Sequence, residues 1–450
     1  MKKERLVVIG GDAAGMSAAA RVRRERADVD IVVFERSPHT SYSACGMPYY
    51  IAGMVETAED LIARTPEKFR EKYNIDARVR HEALGIDTAA ARVRVRGPAG
   101  EEFWEGYDQL LIATGAHPFC PELPGSEASG IYGLSTLESG IRVRRAMDAE
   151  RPQRAVVVGG GYIGLEMAEA MIRRKLDVSL VTRGAQVMET LDADMGALVS
   201  QALQEVGVTL YRGETLTGFE TREGKVAAVV TDRRTLPADI VILGMGVRAN
   251  ARLAQEAGIP LGVKEAIQVN ERMQTAVAGV WAAGDCVASH HLVSRRPFYI
   301  ALGTVANKQG VVAGANLAGG YATFPGVLGT AVSKICRYEV ARTGLHERDI
   351  GELGLEFISA TIRSRTRAGY YPGAGRITVK LLAEKGSGRL LGGQIVGEEG
   401  AAKRIDVLAA ALHAGMTVHD IVNLDLSYAP PFSPVWDPVQ TAARQAVKHV

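Results

Sequence analysis

"RAVVVGGGYIG", residues 154–164, is a run of β-branched residues that ends in three spaced glycines. Glycines at such a turn let the backbone approach a pyrophosphate, and the helix that follows offers it free N–H groups. The next residues have helical character, in YIGLEMAEAMIRRK, and then return to an apolar strand, in DVSLVTR. The pattern predicts a β-α-β unit in which Gly159, Gly161 and Gly164 bind a dinucleotide.

The N-terminus repeats this pattern in RLVVIGGDAAGMSAAARVRRER. Its glycine turn contains Gly10, Gly11, Ala14 and Gly15, but Asp12 occupies the place of the middle glycine. A carboxylate close to a pyrophosphate is unfavourable because like charges repel. We therefore expect a second dinucleotide site in which this aspartate points away from the phosphates.

An acidic residue supports the N-terminal site. Glu35 ends the second strand of the unit, VDIVVFER, twenty residues after Gly15, and Arg36 follows it. An acid at this place accepts hydrogen bonds from an adenosine ribose. A solvated charge at a strand end is the alternative interpretation, and the register of the whole unit favours ribose binding.

The remaining chain predicts an α/β fold with two Rossmann-like dinucleotide-binding domains and a C-terminal α+β domain. Further strands with glycine ends are predicted in YDQLLIATGAHP, ADIVILGMGVRAN and GVWAAGDCVA. Beyond them, LEFISATIRSRTR, RITVKLLAEK and LLGGQIVG look like antiparallel strands, and helices follow. The predicted boundaries are 1–115 and 240–325 for a discontinuous first domain, 116–239 for the second and 326–450 for the third.

Bulk properties exclude several classes of protein. The 450 residues carry a net charge of +2, which gives no reason to expect nucleic acid or an anionic membrane surface as a partner. The apolar runs are short and interrupted by glycine, so neither a membrane span nor a signal peptide is expected. The four cysteines, at positions 45, 120, 286 and 336, are widely spaced, which favours a reducing cytoplasm. No metal site is predicted, since Cys286, His290 and His291 lack a second cluster of ligands.

Two more motifs complete a family pattern. Thr114 and Gly115 lie in IATGAHP, and Gly284 and Asp285 lie in VWAAGDCV. With the two glycine turns, they make nearly the full length resemble the pyridine nucleotide-disulfide oxidoreductases. The resemblance implies FAD in the first unit and NAD(P)H in the second, with Asp285 bound to the flavin ribitol and the Thr114 turn close to the flavin. It also implies a homodimer joined through the C-terminal domain.

The second unit indicates which nicotinamide cofactor is preferred. Its second strand ends in Thr182 and Arg183, where an acid would otherwise accept the ribose hydroxyls. An arginine pairs with a 2′-phosphate, which a carboxylate would repel. We therefore expect NADPH, with NADH as the alternative if Arg183 is a plain surface residue.

"SYSACGMPYY", residues 41–50, contains an isolated cysteine, Cys45. Such a cysteine could be a buried structural residue, a metal ligand or a redox centre. Pro48 suits the first turn of a helix, and a helix N-terminus lowers a thiol pKa. Ser41 to Cys45 resembles the motif of the single-cysteine branch of the family. This branch contains coenzyme A-disulfide reductases, NADH oxidases, NADH peroxidases and persulfide reductases.

The resemblance implies that Cys45 is the redox centre, that Ser41 contacts cofactor and substrate, and that the other cysteines are structural. Tyr428, in LSYAPPFSPVWDPV, and Tyr370 or Tyr371, in GYYPG, resemble segments of the coenzyme A-disulfide reductases. In those enzymes, tyrosines of the partner subunit reach the active cysteine. Packing of aromatic side chains at an interface is the alternative for the adjacent pair.

Basic side chains are candidates for the phosphates of coenzyme A. Either the first helix or a later strand could supply them, although solvated surface charges are the alternative for both sets. The candidates are Arg21, Arg23 and Arg24 on the helix and Arg363, Arg365 and Arg367 on the strand.

The predicted function is FAD-dependent reduction of coenzyme A disulfide by NAD(P)H, with Cys45 cycling as a mixed disulfide with coenzyme A. A coenzyme A persulfide or polysulfide substrate would use the same machinery. An NAD(P)H oxidase is a weaker alternative, because the first glycine loop, GGDAAGMSAA, contains no histidine. Two other classes remain open: a flavoprotein that senses redox state, and a reductase that serves a protein partner without needing Cys45.

Overall fold

The computed structural model describes residues 3–450. They form two units with parallel sheets and a C-terminal domain with an antiparallel sheet, which confirms the predicted fold class. The longest helix, at Gly303–Leu317, has 15 residues. Within the described residues, no helix combines the length and the apolar character that crossing a bilayer requires.

The helices and strands follow the chain in four segments. The first contains β1 Arg5–Ile9, α1 Ala13–Glu25, β2 Asp30–Glu35, α2 Met47–Ala52, α3 Pro66–Tyr73, β3 Asp76–Val79, β4 Glu82–Asp87, β5 Arg92–Arg96, β6 Glu102–Gly106 and β7 Gln109–Ile112. The second contains β8 Ala116–Pro118, β9 Ile131–Gly133, α4 Leu137–Glu150, β10 Arg154–Val158, α5 Tyr162–Arg173, β11 Asp177–Thr182, α6 Ala193–Glu205, β12 Thr209–Arg212, β13 Leu216–Arg222, β14 Lys225–Thr231, β15 Thr235–Pro237, β16 Ile240–Leu243 and β17 Val247–Ala249. The third contains α7 Arg252–Glu256, β18 Val280–Ala282, β19 Ser289–His290, β20 Pro297–Phe298 and α8 Gly303–Leu317. The fourth contains β21 Ala331–Ile335, β22 Tyr338–Gly344, α9 Glu347–Glu352, β23 Phe357–Arg365, β24 Arg376–Glu384, β25 Leu390–Gly397, α10 Ile405–His413, α11 Val418–Val422 and α12 Pro438–Val447.

The first unit is built on a parallel sheet with the strand order β18-β7-β1-β2-β3. Strands β1, β2, β7 and β18 are almost wholly buried, as parallel strands covered on both faces must be, whereas only Ala77 is buried in the edge strand β3. Helices α1 and α8 contribute to the same apolar core as β1 and β2. The turn between β1 and α1 therefore lies at the carboxyl edge of the sheet, where α/β folds bind ligands.

The second unit repeats this design with the strand order β12-β11-β10-β16-β9. Strand β16, Ile240–Leu243, pairs in parallel with β10, so it belongs to this unit. The domain boundary predicted at residue 240 is therefore wrong, because it cuts off a central strand of the second sheet. All four residues of β16 are buried, and such a run fits the interior of either parallel sheet equally well.

Two short strands connect the units. Ala116–Pro118 (β8) and Val247–Ala249 (β17) pair antiparallel where the chain leaves the first unit and returns to it. The chain therefore leaves the second unit after Leu243 and rejoins the sheet of the first unit at β18.

The C-terminal domain has an antiparallel sheet with the order β21-β22-β25-β24-β23. Residues of α10, α11 and α12 share an apolar core with β24 and β25. The three antiparallel strands predicted in this region are confirmed, and so are the helices after them.

A buried ionic cluster joins the C-terminal domain to the second unit. The ammonium group of Lys380, in β24, is only 3% exposed. It lies 3.1 Å from Asp192 Oδ2, 2.7 Å from Asp194 Oδ1 and 2.8 Å from Glu347 Oε1. Gln394 adds a hydrogen bond of 2.7 Å to Asp192. Because buried charges must be paired, this cluster fixes the start of α6 against the sheet.

Candidate active site

Cys45 lies in the turn that leads into α2. Residues Ala44–Gly46 form one turn of 3-10 helix, and α2 follows with Pro48 in its first turn. A Cβ at Gly46 would overlap the side chain of Leu61, so the position admits only glycine without rearrangement. The structure thus places Cys45 at the start of a helix, as the sequence predicts.

The thiol of Cys45 is free and keeps solvent-accessible surface. Enough protein surrounds it that desolvation raises the pKa of Cys45, and the carboxylates of Glu166 and Asp285 raise it further. The expectation that the helix N-terminus lowers this pKa is therefore wrong for the protein chain itself. Helix α2 has only 6 residues, and its dipole is outweighed by desolvation and by negative charge.

Three carboxyl groups with raised pKa values lie around this region. Burial raises the pKa of Asp12 to about 7 and that of Asp285 to about 6. Burial also raises the pKa of Glu166, in α5, to about 7, although the hydroxyl of Ser333 donates to it at 3.2 Å. The site therefore contains carboxyl groups that hold protons near neutral pH. In their ionised forms, these carboxylates raise the pKa of Cys45.

The first glycine turn has the close backbone approach that the sequence predicts. Gly10 has φ of +112°, and a Cβ there would overlap the carbonyl of Ala113. A Cβ at Gly15 would overlap the carbonyl of Gly10 in the same way. The N-terminus of α1 has no side-chain cap, so its N–H groups are available to a phosphate. The carboxylate of Asp12 accepts a hydrogen bond from the N–H of Tyr42 at 3.2 Å.

Glu35 has a structural contact that the sequence does not indicate. Its carboxylate accepts hydrogen bonds from the N–H groups of Gly11 and Ser37, both at 2.8 Å. It therefore links the glycine turn to the end of β2. Arg36 is exposed beside it, and Ala14 is buried under the turn.

The predicted Thr114 turn is held by a residue that the sequence analysis missed. The hydroxyl of Thr114 donates to the carbonyl of Asn250 at 2.6 Å, and the Asn250 amide donates to the Thr114 carbonyl at 2.8 Å. Gly115 has φ of +68° and allows the sharp turn. Asn250 follows β17, so this pair fixes the end of β7 to the returning chain.

The predicted Asp285 presents an unused acceptor. Its Oδ1 is buried and has no hydrogen-bond partner among the described residues. The hydroxyl of Tyr299 donates to its carbonyl at 2.9 Å, and Gln309 accepts from the N–H of Gly284 at 2.9 Å. An unpaired buried acceptor at a sheet edge fits a bound hydroxyl donor. The residues present therefore fit the ribitol chain of a flavin.

The second glycine turn opens onto a cavity of about 930 Å³. A Cβ at Gly159 would overlap the carbonyl of Gly244, whereas a Cβ at Gly161 would meet no atom within 4 Å. Gly164 lies against the carbonyl of Gly159 at the start of α5. The turn therefore leaves room for a phosphate in front of the helix.

The strand end that follows this turn also lines the cavity. Thr182 is buried at the end of β11, and Arg183 is exposed at the mouth. The geometry thus brings together all five residues predicted for the second site.

A second cavity, of about 520 Å³, lies between α1, α3 and residues 41–43. Ser41 and Arg24, both predicted to contact the substrate, line it. Arg64 also lines it, and its guanidinium lies 5.2 Å from the ring centre of Tyr73. The sequence analysis missed Arg64 because it follows no motif.

Arg21 is not among the residues that line this cavity. It forms an ion pair with Glu25 one turn further along α1. Arg23 is also engaged elsewhere, since it donates to the carbonyls of Ala27 and Asn74 at 2.7 and 2.9 Å. Both side chains are held by local partners, which leaves Arg24 to face the cavity.

Two of the three strand arginines have other surroundings in the single chain. Arg363 and Arg376 line a different cavity, between α6 and the C-terminal sheet. Arg365 donates to the carbonyl of Ala374 at 3.0 Å.

The predicted tyrosines lie on an exposed aromatic surface of the C-terminal domain. Tyr428 is 47% exposed, Tyr370 79% and Tyr371 36%. The neighbouring phenol of Tyr370 raises the pKa of Tyr428, so these two side chains lie next to each other. None of the three lines the 520 Å³ cavity of the same chain.

The loop after Tyr428 is fixed from behind by Arg404. This side chain donates to the carbonyls of Thr366 and Phe432, both at 2.7 Å, and to Asp437 at 2.8 Å. Phe432 is 75% exposed, and Val435 and Trp436 are also exposed. A rigid loop therefore presents apolar side chains to solvent in the single chain.

The remaining cysteines and histidines show no site of their own. Cys286 is fully buried, and its thiol contacts the carbonyl of Ala283 at 3.4 Å, as expected for a core residue. His291 is buried too, and burial lowers its pKa to about 4. Cys120 is exposed and Cys336 is half-buried. Across residues 3–450, no group of three or more His, Cys, Asp or Glu side chains is arranged to hold a metal ion.

Known proteins resemble this chain over its whole length. A protein of Pyrococcus horikoshii named NAD(P)H coenzyme A polysulfide/persulfide reductase is 39% identical over 443 residues, which cover 98% of each chain. A protein of Methanocaldococcus jannaschii named NADH oxidase is 36% identical over 445 residues, which cover 99% of each chain. The crystal structure of reduced Bacillus anthracis CoADR-RHD is 34% identical with a TM-score of 0.96. It covers 100% of this chain, which in turn covers 81% of that one.

Two family patterns also match. Residues 4–310 match the pattern described as pyridine nucleotide-disulphide oxidoreductase, and residues 330–438 match the dimerisation domain of the same family. Enzymes of this family use FAD and NAD(P)H, which agrees with the two glycine turns and with Asp285. The chain belongs to the pyridine nucleotide-disulphide oxidoreductase family.

Proposed function

We propose that this enzyme uses NAD(P)H to reduce a sulfur–sulfur bond carried by coenzyme A, and that Cys45 is the sulfur that performs the exchange. The observation that carries the proposal is the setting of Cys45. Its thiol is free and accessible, and it lies beside the residues that fit a flavin. None of the other three cysteines, all far from it in sequence, forms a disulfide with it, so the chain offers no partner for a dithiol mechanism.

The chain supplies two binding sites for this reaction. Gly10, Glu35 and Asp285 would hold FAD, and Gly159 and Arg183 would hold NAD(P)H. When bound, the flavin would supply hydride and electron-pair transfer between the nicotinamide and a disulfide. The 930 Å³ cavity leaves the nicotinamide nucleotide free to exchange, because it is open to solvent.

Cys45 would act as a thiolate on a disulfide sulfur. Its attack on coenzyme A disulfide breaks one S–S bond and forms another, giving a Cys45–coenzyme A mixed disulfide and one coenzyme A thiolate. Two electrons and one proton then release the second coenzyme A and restore the Cys45 thiolate, and another proton neutralises the first thiolate. The sum is one NAD(P)H, one proton and one coenzyme A disulfide converted to NAD(P)⁺ and two coenzyme A thiols.

The substrate would enter through the 520 Å³ cavity. Ser41, four residues before Cys45, lines this cavity, while Arg24 and Arg64 provide positive charge for the phosphates of coenzyme A. This set replaces the predicted one, in which Arg21 takes part.

A homodimer would complete the site. The dimerisation domain matched at residues 330–438 contains both Tyr370 and Tyr428. Their phenols are exposed in the single chain, and a second copy could present them to Cys45 as proton donors for a departing thiolate. The exposed apolar residues of the same loop, Phe432 and Trp436, are suited to burial between copies. All four cysteines are free, which fits a reducing compartment.

A coenzyme A persulfide or polysulfide is the second candidate substrate. A difference in sequence identity favours this candidate. The chain is 39% identical to the relative named as a coenzyme A polysulfide/persulfide reductase and 34% identical to the structure named CoADR-RHD. In that reaction, Cys45 would attack the sulfane sulfur instead of a disulfide sulfur. The residues that hold coenzyme A would be the same.

Steady-state turnover with separate electron acceptors tests this proposal. We expect rapid NAD(P)H oxidation with coenzyme A disulfide or coenzyme A persulfide and slow oxidation with O₂ alone. A Cys45→Ser variant should keep flavin and lose turnover with both sulfur substrates. Cys120→Ser, which changes another accessible cysteine, is the matched control and should keep full activity.

Three outcomes would contradict the proposal. Full activity of Cys45→Ser would indicate a reductase that passes electrons to a partner without this thiol. A single reduction by NAD(P)H followed by no turnover with any acceptor would indicate a redox sensor. Turnover with O₂ that exceeds turnover with the sulfur substrates would indicate an oxidase.

A further inference from the structure

Asp12 stands in the place of a glycine in the first glycine turn, and it lines the 520 Å³ cavity together with Ser41 and Ser43. Although it is the N-cap residue of α1, its side chain makes no capping hydrogen bond to that helix. Its Oδ1 accepts instead from the N–H of Tyr42 at 3.2 Å, which turns the carboxyl group towards residues 41–43. The carboxyl group is therefore available to a molecule in the cavity.

The surroundings of Asp12 favour the protonated form of its carboxyl group. Burial first, and then the carboxylates of Glu35 and Asp285, raise the pKa of Asp12 to about 7, against the N–H groups of Tyr42 and Ala13, which lower it. Glu35 comes from the end of β2 and Asp285 from the segment after β18, so acids on two elements face Asp12. Asp12 thus holds a proton at a pH where an ordinary aspartate has lost it.

The cavity also contains the cations that a polyanionic substrate needs. Arg24 and Arg64 line it and are exposed, which suits the phosphates at the outer part of coenzyme A. Asp12 relates to the reacting sulfur instead. Its ionised form raises the pKa of Cys45, so the two side chains lie within electrostatic range of each other. The cavity therefore combines cations for the phosphates with an acid close enough to influence the thiol.

We propose that Asp12 holds a proton in the substrate cavity and gives it to the coenzyme A thiolate that leaves when Cys45 attacks. The inference rests on the proposed function, because it takes Cys45 as the attacking sulfur. The attack forms a new S–S bond to Cys45, breaks the S–S bond of the substrate and leaves an electron pair on the departing sulfur. The proton passes from the Asp12 carboxyl group to this sulfur and gives coenzyme A thiol. The Asp12 carboxylate then regains a proton from water in the cavity.

The order of charges in this step is electrostatically favourable. Before the attack, Cys45 must be a thiolate, and a neutral Asp12 does not repel it. After the attack, Cys45 is bound in a disulfide and carries no charge, so a negative Asp12 meets less repulsion. An ordinary thiol has a higher pKa than Asp12, so transfer of the proton to the thiolate is favourable. The site thus never holds both negative charges at once.

Rapid-quench mass spectrometry of the first exchange step tests this proposal. Flavin-loaded protein freed of coenzyme A is mixed with coenzyme A disulfide at several pH values without NADPH, and the mass of the Cys45 adduct is followed. The ratio of the wild-type rate to the Asp12→Asn rate largely cancels the ionisation of Cys45. We expect a ratio of about ten below pH 7, since thiolates leave readily even without an acid. The ratio should fall towards one at higher pH, because only protonated Asp12 can donate.

Two further variants separate proton donation from a structural role. Asp12→Asn keeps an acceptor for the N–H of Tyr42, whereas Asp12→Ala removes the acceptor and the proton together. Proton donation predicts the same pH-dependent loss in both variants and a faster rate for Asp12→Ala when imidazolium is added. A structural role predicts a loss in Asp12→Ala alone. Glu25→Gln, on the surface of α1, is the control and should match the wild type.

A measurement on the wild type alone provides a second test that does not depend on the folding of a variant. The adduct should form more slowly in D₂O than in H₂O, because a proton moves in the step. Equal rates in the two solvents would overturn the inference, and so would a ratio of wild-type to Asp12→Asn rates that does not change with pH. Absence of any Cys45 adduct in the wild type would overturn the proposed function itself, which distinguishes the two failures.

Discussion

The two glycine turns show how the same β-α-β arrangement, used twice in one chain, is adapted to two different ligands. Around the first, the protein places buried carboxyl groups, Asp12 and Asp285, whose pKa values are raised to about 7 and about 6. Around the second, it places the exposed cation of Arg183 beside a cavity of about 930 Å³. Buried hydrogen-bonding groups suit a ligand that stays bound, and an open charged mouth suits one that exchanges. The backbone of the turn sets where phosphate binds, and the surrounding side chains set how long it stays.

The largest expected effect comes from closing either turn with a methyl group. Gly10→Ala should yield protein without flavin, because its Cβ would overlap a carbonyl at a positive φ. Gly159→Ala should keep flavin and lose nucleotide affinity by about a hundred-fold or more, on the order of 3 kcal/mol. Flavin absorbance and nucleotide titration measure the two losses separately.

Gly351→Ala, in α9, is the control for both substitutions, since no atom lies within 4 Å of its Cβ position and it lies outside both glycine turns. If Gly10→Ala and Gly159→Ala each removed both ligands to the same extent, the two units would not be independent sites.

The next largest effect is expected at the ionic cluster of Lys380, which joins the second unit to the C-terminal domain. Lys380→Met would leave Asp192, Asp194 and Glu347 without their shared cation, and we expect a loss of about 3–5 kcal/mol in the free energy of unfolding. Hydrogen exchange should increase at the start of α6, and flavin should remain bound. Chemical denaturation measures the first change and exchange mass spectrometry the second.

Lys385→Met provides a matched comparison for Lys380. Lys385 pairs with Glu356 at 3.0 Å, but this pair is 58% and 79% exposed, so its loss should cost at most about 1 kcal/mol. Equal costs for the two variants would mean that burial of Lys380 contributes nothing to joining the domains.

The raised pKa of Asp12 predicts a pH effect on the flavin-free protein. An acid whose pKa is higher in the folded state stabilises the fold below its ordinary pKa, and this contribution is lost as the pH rises towards about 7. The free energy of unfolding should therefore fall between about pH 4 and pH 7, by about 1.4 kcal/mol for each pH unit within that interval. Asp12→Asn should reduce the slope by this amount, leave the parts that come from Asp285 and Glu166, and keep an acceptor for the N–H of Tyr42. Urea denaturation at several pH values measures the slope, and identical slopes for variant and wild type would refute the assignment.

The smallest expected effect lies at the end of β2. Glu35→Gln keeps the shape of the side chain but weakens the charge-assisted bonds to Gly11 and Ser37. We expect about a ten-fold loss of flavin affinity and unchanged nucleotide binding. Glu25→Gln, on the surface of α1, is the control. A loss of nucleotide affinity in Glu35→Gln would contradict the separation of the two sites.

Features that depend on backbone geometry could be predicted from the sequence. Gly10 and Gly159 are required by close backbone contacts, and such contacts leave a pattern of spaced glycines that is local in the chain. The same holds for the alternating and apolar runs that become β24 and β25. These features gave the fold class and most of the residues that line the two nucleotide sites.

Features that depend on which segments meet could not be predicted in this way. The buried run Ile240–Leu243 fits either parallel sheet, and only its pairing with β10 assigns it to the second. Asn250 and Gln309 contact the motifs across long stretches of sequence and belong to no motif themselves. Tyr299 is similar, since its hydroxyl reaches the carbonyl of Asp285.

The pKa of Cys45 is a further property that could not be predicted from the local sequence. The position of Cys45 before Pro48 predicts a helix start, and the structure has one. The direction of its pKa shift depends instead on desolvation by the surrounding protein and then on Glu166, which the sequence places more than a hundred residues away and the fold brings near. Arg21 and Arg24 differ for the same reason, because only Arg24 lines the 520 Å³ cavity, whereas Arg21 pairs with Glu25.

Intact-mass spectrometry after anaerobic incubation with coenzyme A disulfide tests most directly whether Cys45 is the working sulfur. The oxidised protein should gain the mass of one coenzyme A per chain, peptide mapping should place it on Cys45, and addition of NADPH should remove it. The Cys120→Ser variant should behave in the same way. Absence of an adduct, an adduct on another cysteine, or an adduct that NADPH leaves in place would contradict the role given to Cys45.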